Sequence, residues 1–236
     1  MRAFRPGWAV TLLSFLALVV LVSLGTWQVQ RLFWKEALIA GIEEGLAAPP
    51  VDLADGMPGD YRQVFTNGRI LAEPRLFFGS LVRNGEGGTL LLGVFEDEAG
   101  RQWLVERGWI PEWAVADAKD GRFDVEGDVA FGAITRPVRR SGPFTPDPDL
   151  ETGRIFAEVP EEVNERFGTT VGDTVLVLRT RLATRSAPTE LPLLSAVDAD
   201  LPNNHLGYVV TWYGLAAALA GVYVAFGLAR GREAGT

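Results

Sequence analysis

Residues 8–27, WAVTLLSFLALVVLVSLGTW, and residues 206–229, LGYVVTWYGLAAALAGVYVAFGLA, contain no charged side chain. At about 1.5 Å per helical residue, a helix of either length crosses a hydrocarbon layer of roughly 30 Å. A buried helix in a soluble protein rarely has so long an uncharged run. The two stretches therefore predict one transmembrane helix near each end of the 236-residue chain.

The first stretch has a second interpretation, a cleaved signal peptide with Arg2 and Arg5 as its basic n-region. The apolar region of a signal peptide usually has about 7–15 residues, however, which is shorter than this stretch. Residues 31–46, RLFWKEALIAGIEEGL, continue with apolar residues at helical spacing until Pro49 and Pro50 end the pattern. An uncleaved anchor with a helical extension over 30–46 fits these features better.

The distribution of charge predicts the orientation. Arg2 and Arg5 precede the first apolar stretch and Arg230 and Arg232 follow the second, whereas residues 30–204 carry 18 of the 22 basic and 29 of the 30 acidic residues, a net charge of 18 − 29 = −11. Short basic tails stay in the cytoplasm under the positive-inside rule. Only seven residues precede the apolar run, which leaves no room for a mitochondrial presequence and favours a bacterium.

We therefore predict a multi-pass protein of the bacterial inner (plasma) membrane. Its predicted parts are a cytoplasmic tail over 1–7, transmembrane helices over 8–29 and 205–229, a periplasmic domain over 30–204, and a cytoplasmic tail over 230–236.

The middle of the chain has the composition of strands and turns. Apolar runs bounded by Gly, Pro, Asn and Asp predict strands over 61–71, 75–82, 90–95, 102–110, 123–135, 154–159 and 173–183. PEEVNERF, residues 160–167, predicts one short helix with a proline in its first turn. We expect a mainly-β (α+β) domain, folded as a small sandwich or partial barrel, with the acidic run 96–98 in a solvated turn.

The residue inventory excludes several classes of function. The chain has no Cys and only one His, so it lacks the residues for a disulfide, a histidine-based catalytic triad or a protein-built zinc or copper site. An acidic central domain also argues against nucleic-acid binding. We predict that the protein is not an enzyme and binds no transition metal other than heme iron.

His205, at the start of the second apolar stretch, is the first candidate site residue. Tyr208 and Trp212 follow it at i+3 and i+7, so an imidazole there faces an aromatic, apolar surface at the membrane boundary, as an axial heme ligand requires. The alternatives are a polar residue at a helix N-terminus for His205, and interfacial belt aromatics for Tyr208 and Trp212.

A second cluster lies at the same depth, at the end of the first apolar stretch. Trp27, Gln28 and Arg31 have the spacing of one helical surface, and Arg31 is a candidate partner for an anionic group such as a heme propionate. The alternative for Arg31 is an interfacial arginine that extends its charge toward water. Small residues in the second stretch, among them Gly214, form rows that permit close approach of another helix.

Three segments resemble a known family. LGTWQVQR (24–31) and NNHLGYVVTWY (203–213) are similar to the first-span and second-span signatures of the Surfeit-locus-one family of cytochrome c oxidase assembly factors, and VERGWIP (105–111) resembles its central strand end.

This resemblance implies assembly of a heme–copper oxidase without catalysis. The implied role is to bind or position heme A for insertion into subunit I, with His205 as the candidate iron ligand and Trp27, Gln28 and Arg31 matching the first-span motif. The implied partners are subunit I, the heme A synthesis machinery and membrane lipid. Two other classes remain: a cofactor-free scaffold that stabilises oxidase subunits, and an anchored sensor or enzyme of the cell envelope.

Overall fold

A computed structural model of the chain describes residues 4, 6–188, 190–197 and 203–233. The predicted positions of Arg2 and Arg5, the end of the link into the second helix (198–202) and the last three residues lie outside these ranges. The chain divides into two compact units, Met1–Gly41 with Ala199–Thr236, and Ile42–Asp198.

Two long helices define the first unit. Helix α1 runs over Trp8–Ala47 and helix α4 over His205–Glu233. Both are long and apolar enough to cross a membrane. The helix continues through residues 31–46 and ends just before Pro49 and Pro50, as the sequence predicts.

Eight strands form one sheet in the second unit. They are β1 Val51–Asp52, β2 Gln63–Ile70, β3 Leu76–Arg83, β4 Glu86–Asp97, β5 Gln102–Pro111, β6 Asp128–Pro137, β7 Arg154–Ile155 and β8 Thr174–Leu178. Two short helices, α2 Val115–Lys119 and α3 Pro160–Phe167, complete the unit. Helix α3 has the predicted bounds because Pro160 opens it, acids occupy its first turn and Gly168 caps it in the left-handed conformation.

The sheet closes on itself. Neighbouring strands follow the order β2-β6-β8-β5-β4, and the end of β4 pairs back onto β2 through Gly68↔Asp97 and Ile70↔Phe95. Closure requires a glycine at position 68, because a Cβ there would overlap the carbonyl oxygen of Glu96. The domain is therefore a five-stranded closed barrel, with β3 and β7 continuing beyond it, rather than a sandwich.

Each of the five closed strands contributes a buried apolar side chain to one cluster. Its members include Val64, Phe95, Val105, Phe131 and Leu176, so this cluster fills the barrel interior. A second cluster, which includes Leu104, Val163 and Val175, packs helix α3 onto the outside of the barrel.

Some sequence predictions need correction. The predicted strand over 123–135 begins only at Asp128, because helix α2 and the turns after it occupy the preceding residues. The predicted strand over 154–159 shrinks to Arg154–Ile155. The solvated-turn prediction is correct for the exposed Glu98 and wrong for Asp97, which is buried.

Candidate functional site

The two long helices meet at the two predicted site residues Gln28 and His205. Gln28 Oε1 lies 2.7 Å from His205 Nδ1, although 177 positions separate the residues in the chain. The Gln28 side chain is 8% exposed and His205 is partly buried. Because α4 begins at His205, the imidazole lies at the N-terminal end of that helix. Its partner Gln28 lies near the middle of α1.

This contact determines which imidazole nitrogen can act as a ligand. A glutamine oxygen only accepts hydrogen bonds, so His205 Nδ1 donates and carries the proton. In a neutral imidazole the lone pair is then on Nε2. A hydrogen bond to the other ring nitrogen is the usual way in which proteins orient a metal-binding histidine. The hydrogen bond therefore fixes the orientation of the imidazole ring and of its Nε2 lone pair.

Contacts next to Gln28 fix the register of the two helices. The Thr26 and Tyr213 hydroxyls lie 3.1 Å apart, and the Tyr213 ring packs over Gly25 so closely that a Cβ there would lie 3.1 Å from the ring. The Thr11 and Tyr223 hydroxyls form a second pair at 2.9 Å. The helices are antiparallel, because the earlier residue of α1 pairs with the later residue of α4.

The other predicted site residues lie on the same two helices, within seven positions of Gln28 or His205. Trp27 and Tyr208 are 50% and 54% exposed, so each offers an apolar face. Arg31 is exposed, and its guanidinium lies 4.5 Å from the centre of the Trp34 ring. Trp212 is partly buried, and its buried indole Nε1 has no hydrogen-bond partner among the described residues.

Sequence reasoning placed Gln28 and His205 at equal depth without pairing them. Depth follows from position within each apolar stretch, whereas the pairing depends on how α4 is rotated against α1. The Thr26–Tyr213 and Gly25–Tyr213 contacts were not predicted for the same reason. The described residues contain no group of three or more His, Cys, Asp or Glu side chains that could hold a metal ion.

The barrel carries a buried ionic cluster of its own. Arg136 donates to Glu158 at 2.6 and 2.7 Å and to Glu106 at 2.6 Å, and all three side chains are buried. Burial lowers the pKa of Arg136, but the hydrogen bonds and charges of Glu158 and Glu106 outweigh it, so the pKa is raised. Because Arg136 and Glu106 lie on β6 and β5, the cluster joins the barrel to the segment before α3 and has a structural role.

Comparison with protein families gives one match across most of the chain. The model of the SURF1 family matches residues 15–217. This range includes Gln28, His205 and every strand of the barrel domain.

Individual relatives agree with this match. Surfeit locus protein 1 of Homo sapiens is 30% identical over 242 aligned residues, which cover 87% of this chain and 75% of the human protein. A SURF1-like protein of Rickettsia bellii is 27% identical, with 87% and 85% covered. The cytochrome oxidase assembly protein SHY1 of Saccharomyces cerevisiae is 34% identical over 141 residues, 55% of this chain and 36% of the yeast protein.

Proposed function

Because the chain belongs to the SURF1 family, we propose that it is a non-catalytic assembly factor for cytochrome oxidase that binds heme A and positions it for insertion into subunit I. The family includes a relative named as a cytochrome oxidase assembly protein, which supports the oxidase assembly role. Heme A, supplied by the heme A synthesis machinery, is the cargo in this proposal.

The observation that carries the heme proposal is the Gln28–His205 hydrogen bond of 2.7 Å. It leaves His205 Nε2 with the lone pair that an iron ligand needs, and it holds the ring in one orientation. Trp27 and Tyr208 supply exposed aromatic surface beside the pair, and Arg31 supplies a positive charge one helical turn from Gln28. These groups suit a flat apolar macrocycle with anionic propionates.

The proposed location is the bacterial inner membrane, with α1 and α4 as its two spans and the barrel domain in the periplasm. The length and apolarity of both helices support membrane insertion. Arg230 and Arg232 at the end of α4, together with the acidic barrel domain, support the orientation.

An absorption spectrum tests the heme proposal. The full-length protein, purified in mild detergent from cells that make heme A, should show a Soret band and the spectrum of a histidine-ligated heme A. Protein from cells unable to make heme A, purified in the same way, is the control. Absence of a stoichiometric Soret band from the first sample would refute heme binding while leaving an assembly role intact.

A cofactor-free scaffold is the second candidate, and one observation favours it. Five small residues of α4 are exposed, namely Gly214, Ala217, Ala218, Gly221 and Ala225, and a Cβ added at Gly214 or Gly221 would contact nothing. Such rows permit another membrane helix to approach closely. If the scaffold role holds alone, protein without heme should still co-purify with oxidase subunits and sustain their assembly.

A further inference from the structure

An apolar cleft lies between α1 and α4, away from the Gln28–His205 pair. It has a volume of about 200 Å³ and is lined mainly by Ser14, Phe15 and Leu18 from α1 and by Leu219, Ala220 and Tyr223 from α4. Five of these six side chains are aliphatic or aromatic, so the cleft suits a hydrocarbon chain.

The polar groups at one end of the cleft are already paired. The Thr11 and Tyr223 hydroxyls bond each other at 2.9 Å. Within a hydrocarbon layer, satisfied hydroxyls attract no polar ligand. This pair lines the end of the cleft farther from His205.

The cleft lies along the same helix pair as the candidate site. Leu18 precedes Gln28 by ten residues, and Leu219 follows His205 by fourteen. At about 1.5 Å per helical residue, these separations place the upper part of the cleft roughly 15–21 Å from the level of the His205 imidazole. A farnesyl chain that starts at the edge of a porphyrin has a reach of that order.

We propose that this cleft receives the isoprenoid tail of heme A while the iron is held at His205. The inference rests on the proposed heme function and adds a specificity element to it. A lipid acyl chain has similar chemistry. Only the tail, however, is attached to a heme that His205 already holds, so the tail enters the cleft at a high effective concentration. Lipid chains are as apolar as the side chains that line the cleft, so moving the tail from lipid into the cleft releases no water. The tail is therefore bound by van der Waals packing and by its attachment to the heme.

Comparing three hemes isolates the contribution of the tail to binding. Heme A and heme O both carry the tail and differ in the formyl group, whereas heme B has no tail. Binding is measured by Soret titration of the full-length protein in phosphatidylcholine nanodiscs. Ala220→Phe, which fills the cleft from α4, should weaken heme A and heme O binding by about tenfold and leave heme B binding unchanged.

Two further variants make the test specific. Ser14→Phe fills the cleft from α1 and should give the same tail-dependent loss. Ala218→Phe adds the same ring to the opposite side of α4, where position 218 is exposed and does not line the cleft, and should bind all three hemes like the wild type.

The outcomes distinguish this proposal from the one on which it rests. If the wild type binds no heme, the heme function fails. If the wild type binds hemes A and B equally tightly, or if Ala220→Phe and Ser14→Phe leave heme A binding unchanged, the tail site is refuted and heme binding stands. A loss that is equal for all three hemes would also refute the tail site, because it would show a change in the helix pair itself.

Discussion

At the scale of single residues, a lone histidine becomes a candidate ligand only through its neighbour. An imidazole at a helix N-terminus is ordinarily a polar residue near a cap. Here the Gln28 oxygen, 2.7 Å from Nδ1, fixes the tautomer and the ring orientation. Both residues belong to helices rather than loops, which restricts the movement of the site.

His205→Ala should remove most of the bound heme A and leave the barrel domain folded. The side chain lies at a helix end, so its loss opens no large core cavity. The Soret absorbance per protein and the far-ultraviolet circular dichroism measure the two effects. Arg31→Gln is the milder companion, because it removes only an exposed charge, and should retain most of the heme. Loss of heme and folded protein together in His205→Ala would make His205 structural.

Gln28 is predicted to act as a positioning residue through His205. Gln28→Leu removes the acceptor and should weaken heme binding by about 10- to 100-fold, the usual cost of losing such a partner. Gln28→Glu restores an acceptor and should recover binding, with a lower heme midpoint potential because a carboxylate makes the imidazole more basic. A purely structural glutamine would give equal midpoint potentials for Gln28→Glu and wild type.

At the scale of elements, two buried carboxylates hold parts of the barrel domain together. Asp97 organises the β4–β5 hairpin, and Glu158 ties the segment before α3 to β6. Each accepts several hydrogen bonds, so each has a structural role.

Asp97→Asn should destabilise the domain in a pH-dependent way. Asp97 accepts bonds from the Ala99 and Arg101 amides and from the side chains of Arg101 and Trp103. Burial raises the pKa of Asp97, but these bonds outweigh it and hold the pKa below its ordinary value. The stabilisation is therefore present above the unfolded pKa of about 3.9 and is lost as the pH falls through the lower folded value.

Urea unfolding of the full-length protein, followed by tryptophan fluorescence, measures this effect. At pH 7 the free energy of unfolding should fall by about 1–3 kcal/mol in Asp97→Asn, and the difference should shrink below about pH 4. The exposed neighbour Glu98→Gln is the control and should be neutral. A difference that stays constant down to about pH 3 would contradict the assignment.

Glu158→Ala should be more costly. It leaves the Arg136 guanidinium buried with Glu106 as its one remaining close carboxylate among the described residues, and breaking a buried ion pair typically costs about 3–5 kcal/mol. The urea midpoint at pH 7 reports the loss. Glu161→Gln removes an exposed carboxylate 3.8 Å from Arg140 and should shift the midpoint by much less. Equal shifts for the two variants would show that the buried cluster contributes no special stability.

At the scale of the whole molecule, the chain separates a helical unit from a barrel unit. The candidate site and the cleft belong to the helical unit, and the buried ionic cluster belongs to the barrel. When a variant changes one unit, the folding of the other unit therefore serves as an internal control.

The proposed topology predicts opposite locations for two fusion sites. Alkaline phosphatase inserted at Gly142, in an exposed loop of the barrel unit, should be active because residues 30–204 are predicted to lie in the periplasm. A fluorescent protein fused after Thr236 should fluoresce because the C-terminal tail is predicted to be cytoplasmic. An inactive phosphatase at Gly142, in a fusion protein that accumulates in the membrane, would overturn the orientation.

The sequence by itself determined the features that depend on neighbours along the chain. The apolar stretches predict α1 and α4, Pro160 and the acids after it predict α3, and the apolar runs 90–95 and 102–110 predict most of β4 and β5. Each follows from periodicity or turn chemistry within a few residues. The motifs at 24–31, 105–111 and 203–213 also indicated the family, which the match over residues 15–217 confirms.

Only the tertiary structure decided which distant residues meet. The return of β4 onto β2 at Gly68 turns a predicted sandwich or partial barrel into a closed barrel. The rotation of α4 against α1 selects Gln28 as the partner of His205 and leaves the row Gly214, Ala218 and Gly221 exposed. These outcomes depend on packing between segments far apart in the chain, and a pattern within one segment does not specify which distant segment packs against it or at what rotation.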